Sequence, residues 1–193
     1  TIRSELVGRE RGLDGLRIAM VGDLRFGRTV HSLSKLLSLF EGLRVSLVSP
    51  EALSMPAGVV EALREAGHEV LETDALETGI ADVDIVYSTR IQEERFASRE
   101  EADLYRGRFR LTQSVYTANC EPNTVIMHPL PRDSREGARE LDIDLNDNPN
   151  LAIFRQSDNG VVVRMALFAL ILDVVDQVDQ HSAPVNWYTE RRF

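Results

Sequence analysis

The chain has 193 residues, enough for one domain with a sizeable core, and its 43% hydrophobic and 27% charged content is that of an ordinary globular protein. Acidic residues outnumber basic ones 31 to 22, giving a formal charge of -9, and a chain of that sign is disfavoured as a general nucleic-acid binder. The single cysteine, Cys120, excludes an internal disulfide framework and fits a cytoplasmic setting.

Cys120 itself reads as a small, partly buried hydrophobe. The longest apolar stretch, Met165 to Val175, is broken by Asp173 and falls short of the ~20 residues of a membrane span, and no signal peptide is visible.

Residues 1–12 are polar with Ile2 and Leu6 at helical spacing, and read as a linker helix. Leu16 to Val21 is a compact apolar run closed by Gly22-Asp23, the pattern of a buried strand. Val30, Leu33, Leu36, Leu37 and Phe40 then recur at helical steps, predicting an amphipathic helix over 28–40. Val45–Val48 predicts a second strand, stopped by Ser49-Pro50. Pro56 opens a helix that Gly67 closes, and Glu69–Glu72 is a short strand. A brief helix around 75–78 and a strand over Val83–Tyr87 follow.

Residues 92–110 are heavily charged and read as a mobile loop with a helical piece. Thr124–Met127 predicts the fifth strand, and the Asp- and Asn-rich stretch 133–150 reads mostly as loop. Asn150–Gln156 and Val161–Val178 predict two closing helices, punctuated by Asn159-Gly160. Residues 13–178 thus form the expected domain and 179–193 a polar C-terminal tail. Strand-helix alternation implies an α/β fold in three layers: a doubly wound, mostly parallel five-stranded sheet with helices on both faces. Ligands in such folds sit beyond the carboxyl ends of the strands.

Three strand-end segments carry candidate chemistry. In Gly22–Ser32 a glycine-bounded turn enters a helix whose N-terminus attracts anions, with Arg25 and Arg28 adding full charge; a routine turn with solvated arginines is the alternative. The segment is one residue from a phosphate-binding P-loop, but Arg28 stands where the lysine belongs. In Ser88–Gln92, Arg90 and Gln92 point the same way if extended, which suits two-toothed capture of a carboxylate; a surface ion pair with a nearby glutamate is the alternative. In His128–Arg132, two prolines remove N–H donors and leave carbonyl acceptors suited to an NH₂ group; the alternative is a rigid turn.

Other constellations fail. The histidines at 31, 68, 128 and 181 lack paired zinc-ligand spacing. Asp142, Asp144 and Asn146 imitate an EF-hand, but Asp147 replaces its glycine and Ile153 its closing glutamate. No catalytic serine motif is present, and His31 reads as packing on its helix.

Together the segments resemble the aspartate transcarbamylases. Gly22–Ser32 resembles that family's Gly-Asp-Leu-Lys-Tyr-Gly-Arg-Thr-Val-His-Ser signature, Thr89–Gln92 its Thr-Arg-Val-Gln segment, and His128–Arg132 its His-Pro-Leu-Pro-Arg motif. Phe154–Gln156, Asn159-Gly160 and Val163–Leu170 resemble its closing helices, so the likeness runs from about residue 13 to about 172. The family's N-terminal Ser-Thr-Arg-Thr-Arg phosphate motif is absent, so the expectation is the second, amino-acid-binding domain alone.

The resemblance implies that Arg28 and Arg90 hold the two aspartate carboxylates and that Gln92 assists. It implies that the Pro129 and Leu130 carbonyls hold the carbamoyl NH₂, and that Arg25 contacts substrate or orders its loop. Each charge-assisted contact contributes ~1.5–3 kcal/mol. No catalytic residue is carried by this half alone, and neither cofactor nor metal is needed. The implied partners are L-aspartate, carbamoyl phosphate and a carbamoyl-phosphate-binding domain, with a homotrimer for the complete enzyme and no nucleic acid or membrane.

Ornithine enzymes carry His-Cys-Leu-Pro where this chain has His128–Pro131, which makes ornithine the second choice of substrate. A non-catalytic aspartate-binding module and a P-loop-like nucleotide binder are the competing functions. Three departures from the family stand out. Arg25-Phe26 replaces a Lys-Tyr pair, with loss of one hydrogen bond, ~1 kcal/mol of loop ordering. Glu93 sits where a basic residue is common, and the residues after Arg132 are longer and more acidic than the family pattern.

Overall fold

In the computed structural model the described residues are 1–6, 12–96, 98–135 and 137–181. Part of the linker, residues 7–11, and nearly all of the tail expected over 179–193 lie outside them. The element order is α1 (Ile2–Glu5), β1 (Arg17–Val21), α2 (Arg28–Leu37), β2 (Arg44–Val48), α3 (Ala57–Glu65), β3 (Glu69–Thr73), α4 (Leu76–Ile80), β4 (Ile85–Ser88), α5 (Arg99–Asp103), α6 (Gln113–Asn119), β5 (Val125–Met127), α7 (Ile153–Ile171) and α8 (Val178–His181).

All four ladders are parallel, in the order β3-β2-β1-β4-β5. Parallel strands need crossovers, and the intervening helices supply them on both faces. One core layer places Ile18, Met20, Val45, Leu47, Ile85 and Tyr87 against α2, α3 and the partly buried Ile2 and Leu6. The other packs Ala19, Val21, Val48, Val86 and Ile126 against α4, α6 and the loop ending at Leu151. The period-2 alternation of each central strand therefore feeds both layers, and β1 in the middle is buried from Ile18 to Val21.

The edge strand β3 is the least buried, and Glu69 and Glu72 on it discourage pairing with another chain. On α2 the residues Val30, Ser34 and Leu37 form the buried stripe; the Ser34 hydroxyl donates to the Val30 carbonyl at 2.8 Å, which makes its burial tolerable.

Two expectations are corrected. The two closing helices predicted over 150–178 are one continuous helix, α7, which passes through Asn159-Gly160 without a break. A further helix, α6, occupies 113–119, where no element was expected; Thr112 caps it by accepting the Val115 N–H at 3.2 Å. Among the described residues no helix is long and apolar enough to cross a membrane.

Candidate functional site

The strand order reverses between β1 and β4: the chain winds outward through β2 and β3, then returns to the other side of β1. Open α/β sheets bind ligands in the crevice at such a switch point, beyond the carboxyl ends. Val21 pairs with Ser88, and Tyr87 pairs with Met127. The three segments singled out in the sequence thus leave adjacent strands β1, β4 and β5 at the same edge of the sheet.

The first two segments are stitched together through buried contacts. The Thr89 N–H and hydroxyl both donate to the Val21 carbonyl, at 2.8 and 3.0 Å. Gly22 is compulsory here: its φ is +111°, and a Cβ would lie 2.4 Å from the Thr89 carbonyl oxygen. Asp23 is fully buried, and its carboxylate accepts the Phe26 N–H at 2.9 Å and the Gln92 N–H at 3.3 Å. One carboxylate therefore shapes the turn after β1 and holds the segment after β4. A Cβ on Gly27 would meet the Asp23 carbonyl at 2.5 Å, so the turn closes without a side chain there, and α2 starts with no side-chain cap on its N-terminal N–H groups.

Arg28 is exposed on the first turn of α2, and Arg90 and Gln92 are half-buried beyond β4. Arg25 turns away from α2: its Nη1 donates to the Ala52 carbonyl at 3.2 Å, and its guanidinium lies 5.2 Å from the Phe26 ring centroid. His31 Nε2 lies 2.8 Å from the Leu24 carbonyl, bracing the same turn from the helix.

The third segment rests on a buried histidine. The Leu130 N–H donates to His128 Nδ1 at 2.9 Å, which leaves the ring proton for Nε2, and Nε2 lies 2.8 Å from Glu140 Oε1. Both side chains are almost fully buried. The Glu140 carboxylate also takes the Asp133 N–H at 3.1 and 3.2 Å, so it clasps both ends of the turn 128–133. Within that turn Leu130 has φ +53° and the Leu130–Pro131 bond is cis. Left-handed backbone at a leucine costs roughly 1 kcal/mol and persists only where its surroundings hold it. The half-buried Pro129 and Leu130 are the residues so displayed.

Gln156 on α7 accepts the His128 N–H at 3.0 Å and also reaches the hydroxyl of Tyr87 at the end of β4, which meets Thr29 of α2 as well. Burial pushes the Tyr87 phenol above its ordinary range, partly offset by these two hydrogen bonds. Asp23, Tyr87, Glu140 and Gln156 were not singled out from the sequence. Asp23 belonged to a recognised turn, whereas Glu140, in a charged loop far along the chain, carries no local signal.

This is an open α/β domain in which the segments bearing Arg25, Arg28 and Arg90 leave the sheet at a topological switch point. The family model described as the aspartate/ornithine carbamoyltransferase Asp/Orn-binding domain matches residues 14–171, and the chain belongs to that family. It is 70% identical over its whole length to 57% of the aspartate carbamoyltransferase catalytic subunit of Saccharophagus degradans, and 68% identical to 57% of that of Cellvibrio japonicus. A structure of aspartate transcarbamoylase from Trypanosoma cruzi in complex with aspartate and phosphate is similar with a TM-score of 0.72, at 35% identity over 86% of this chain and 49% of that one. The catalytic subunit of M. jannaschii aspartate transcarbamoylase gives a TM-score of 0.73 at 40% identity, over 83% of this chain and 50% of its own. The chain spans about half the length of the relatives it matches.

Proposed function

We propose that the chain is the aspartate-binding half of an aspartate carbamoyltransferase, which transfers the carbamoyl group of carbamoyl phosphate to L-aspartate in pyrimidine synthesis. The observation that carries this reading is the meeting of the Arg28, Arg90–Gln92 and Pro129-Leu130 segments at one sheet edge, on β1, β4 and β5. In this reading Arg28 and Arg90 hold the two carboxylates, Gln92 assists, and Arg25 orders the loop over Ala52. The Pro129 and Leu130 carbonyls accept hydrogen bonds from the carbamoyl NH₂.

The aspartate amine then attacks the carbamoyl carbon, a tetrahedral intermediate collapses, and phosphate leaves. Positioning and fixed charge supply the rate enhancement, and the reaction calls for neither cofactor nor metal. Two arginines suit a dicarboxylate, whereas the second ammonium of ornithine would need an acidic partner at the same place.

The carbamoyl-phosphate-binding domain is the partner of this reading, with 1–12 as its linker, 13–178 as this domain and 179–193 as a tail. Support comes from α7, whose large apolar residues from Val161 to Ile171 are more than half exposed all round the helix. Thr1 lies beside this helix, its hydroxyl accepting from Asn159 Nδ2 at 3.0 Å, and Arg155 donates to Glu5 at 2.8 Å. A domain entering at Thr1 would arrive next to these exposed apolar residues. A cytoplasmic homotrimer of the complete enzyme belongs to the same proposal.

The test is formation of carbamoyl-aspartate by the chain alone, by the chain mixed with a carbamoyl-phosphate-binding domain, and by the mixture carrying Arg90→Ala. The expected result is turnover only in the mixture, only with aspartate and not ornithine, with aspartate affinity lowered about 10- to 100-fold by Arg90→Ala. Turnover with ornithine, or none from associated halves, would remove the proposal.

A further inference from the structure

Two charged side chains 42 residues apart meet in space. Glu93, directly after Gln92, receives Arg135, which lies in the stretch after Arg132. Arg135 Nη1 donates to Glu93 Oε2 at 2.9 Å, and its Nη2 lies 2.9 Å from Oε1. Arg106 grips the same carboxylate in two-toothed fashion, Nε to Oε1 at 3.0 Å and Nη2 to Oε2 at 3.1 Å. Arg135 Nε also donates to Asp133 Oδ1 at 3.0 Å.

We infer that Glu93 and Arg135 form a positioning pair that sets the spacing between the Arg90–Gln92 segment and the Pro129-Leu130 turn. The inference rests on the carbamoyltransferase reading above. The path is continuous: Gln92 precedes Glu93; Glu93 holds Arg135; Arg135 holds Asp133; the Asp133 N–H sits on Glu140, and Glu140 faces His128, next to Pro129. The other face of the Gln92 segment is fixed by Asp23.

Charge balance ties the pair to its surroundings. Glu93, Asp103 and Asp133 face Arg90, Arg106 and Arg135, three against three. A basic residue at 93 would add a further cation to these arginines, and Arg135 without Glu93 would lose the contact that reaches across to β4's loop. Arg106 first and Arg135 second hold the Glu93 carboxyl below the usual carboxylate range, and Arg135 does the same to Asp133, with the Arg90 charge contributing. Arg135 is 53% exposed, so a single contact of this kind is weak; sharing two carboxylates is what gives it geometric effect.

The test is a double-mutant cycle in the complete enzyme, this chain together with its carbamoyl-phosphate-binding domain. Glu93→Gln and Arg135→Gln should each raise the aspartate KM about 3- to 10-fold with kcat within about twofold, and the double variant should do no more than the worse single one. Arg135→Lys, which keeps the charge but cannot span both carboxylates, should recover no more than a minor part of the loss, whereas a purely structural role would move the urea midpoint and not the KM. Unchanged aspartate KM in the singles, or effects that multiply in the double, overturns the pair while wild-type turnover still stands. Failure of the wild-type enzyme to make carbamoyl-aspartate removes the functional reading, and the inference with it.

Discussion

Gly22→Ala isolates the contact that joins β1 to β4 at the site. The new Cβ would stand 2.4 Å from the Thr89 carbonyl oxygen and 2.9 Å from its Oγ1, and neither is the end of a flexible side chain. A φ of +111° costs an alanine about 2 kcal/mol. Relief of the overlap must also pull Thr89 away from the Val21 carbonyl and so weaken its two hydrogen bonds, about 1 kcal/mol more. The expected loss is therefore roughly 3–4 kcal/mol.

With a urea m-value of about 2 kcal/mol/M, the midpoint should fall by roughly 1.5–2 M. Gly42→Ala is the control: its φ is +63°, and nothing lies within 4 Å of a Cβ there. It should lose only about 1 kcal/mol, roughly 0.5 M. Equal midpoints for the two variants would show that the approach of Thr89 is not tight, and would refute the account of how the first two segments are joined.

Two further outcomes are expected. Burial pushes the Cys120 thiol up to about 11, so at pH 8 only about 0.1% is thiolate and a disulfide reagent should label it at least a hundredfold more slowly in the folded chain than in urea. The raised value means that this group favours the fold below about pH 8.5, and the contribution is lost as pH climbs toward 11; rapid labelling of the native chain at pH 8 would contradict its burial. The Tyr116 hydroxyl donates to the Thr124 carbonyl and accepts from Asn150 Nδ2, both at 2.8 Å, so Tyr116→Phe should cost about 1–2 kcal/mol in urea unfolding, and a midpoint shift below roughly 0.2 M would show those bonds to be dispensable.

The strands β1, β2, β4 and β5 were legible because each is a largely apolar run with buried faces. β3, though polar and exposed, was legible as Val70-Leu71 after the Gly67 that closes a helix. Helix α6 was not, because Tyr116 is its one buried residue and no periodic stripe exists to read. The break expected at Asn159-Gly160 failed for a related reason. A glycine within a helix costs only about 1 kcal/mol, which a 19-residue helix absorbs, and Asn159 there is used to meet Thr1. That the candidate basic residues follow β1 and β4 was legible from their place after apolar runs. The supports of the site were not: Glu93 and Arg135 are 42 residues apart, and no local pattern joins them.

The buried Asp23 carboxylate has a consequence for affinity. It accepts the backbone N–H groups of Phe26 and Gln92, so one side chain anchors the turns after β1 and β4. The loops are brought together when the domain folds, so under the proposed function a ligand would not have to order them a second time. The group that organises these loops is already part of the polypeptide.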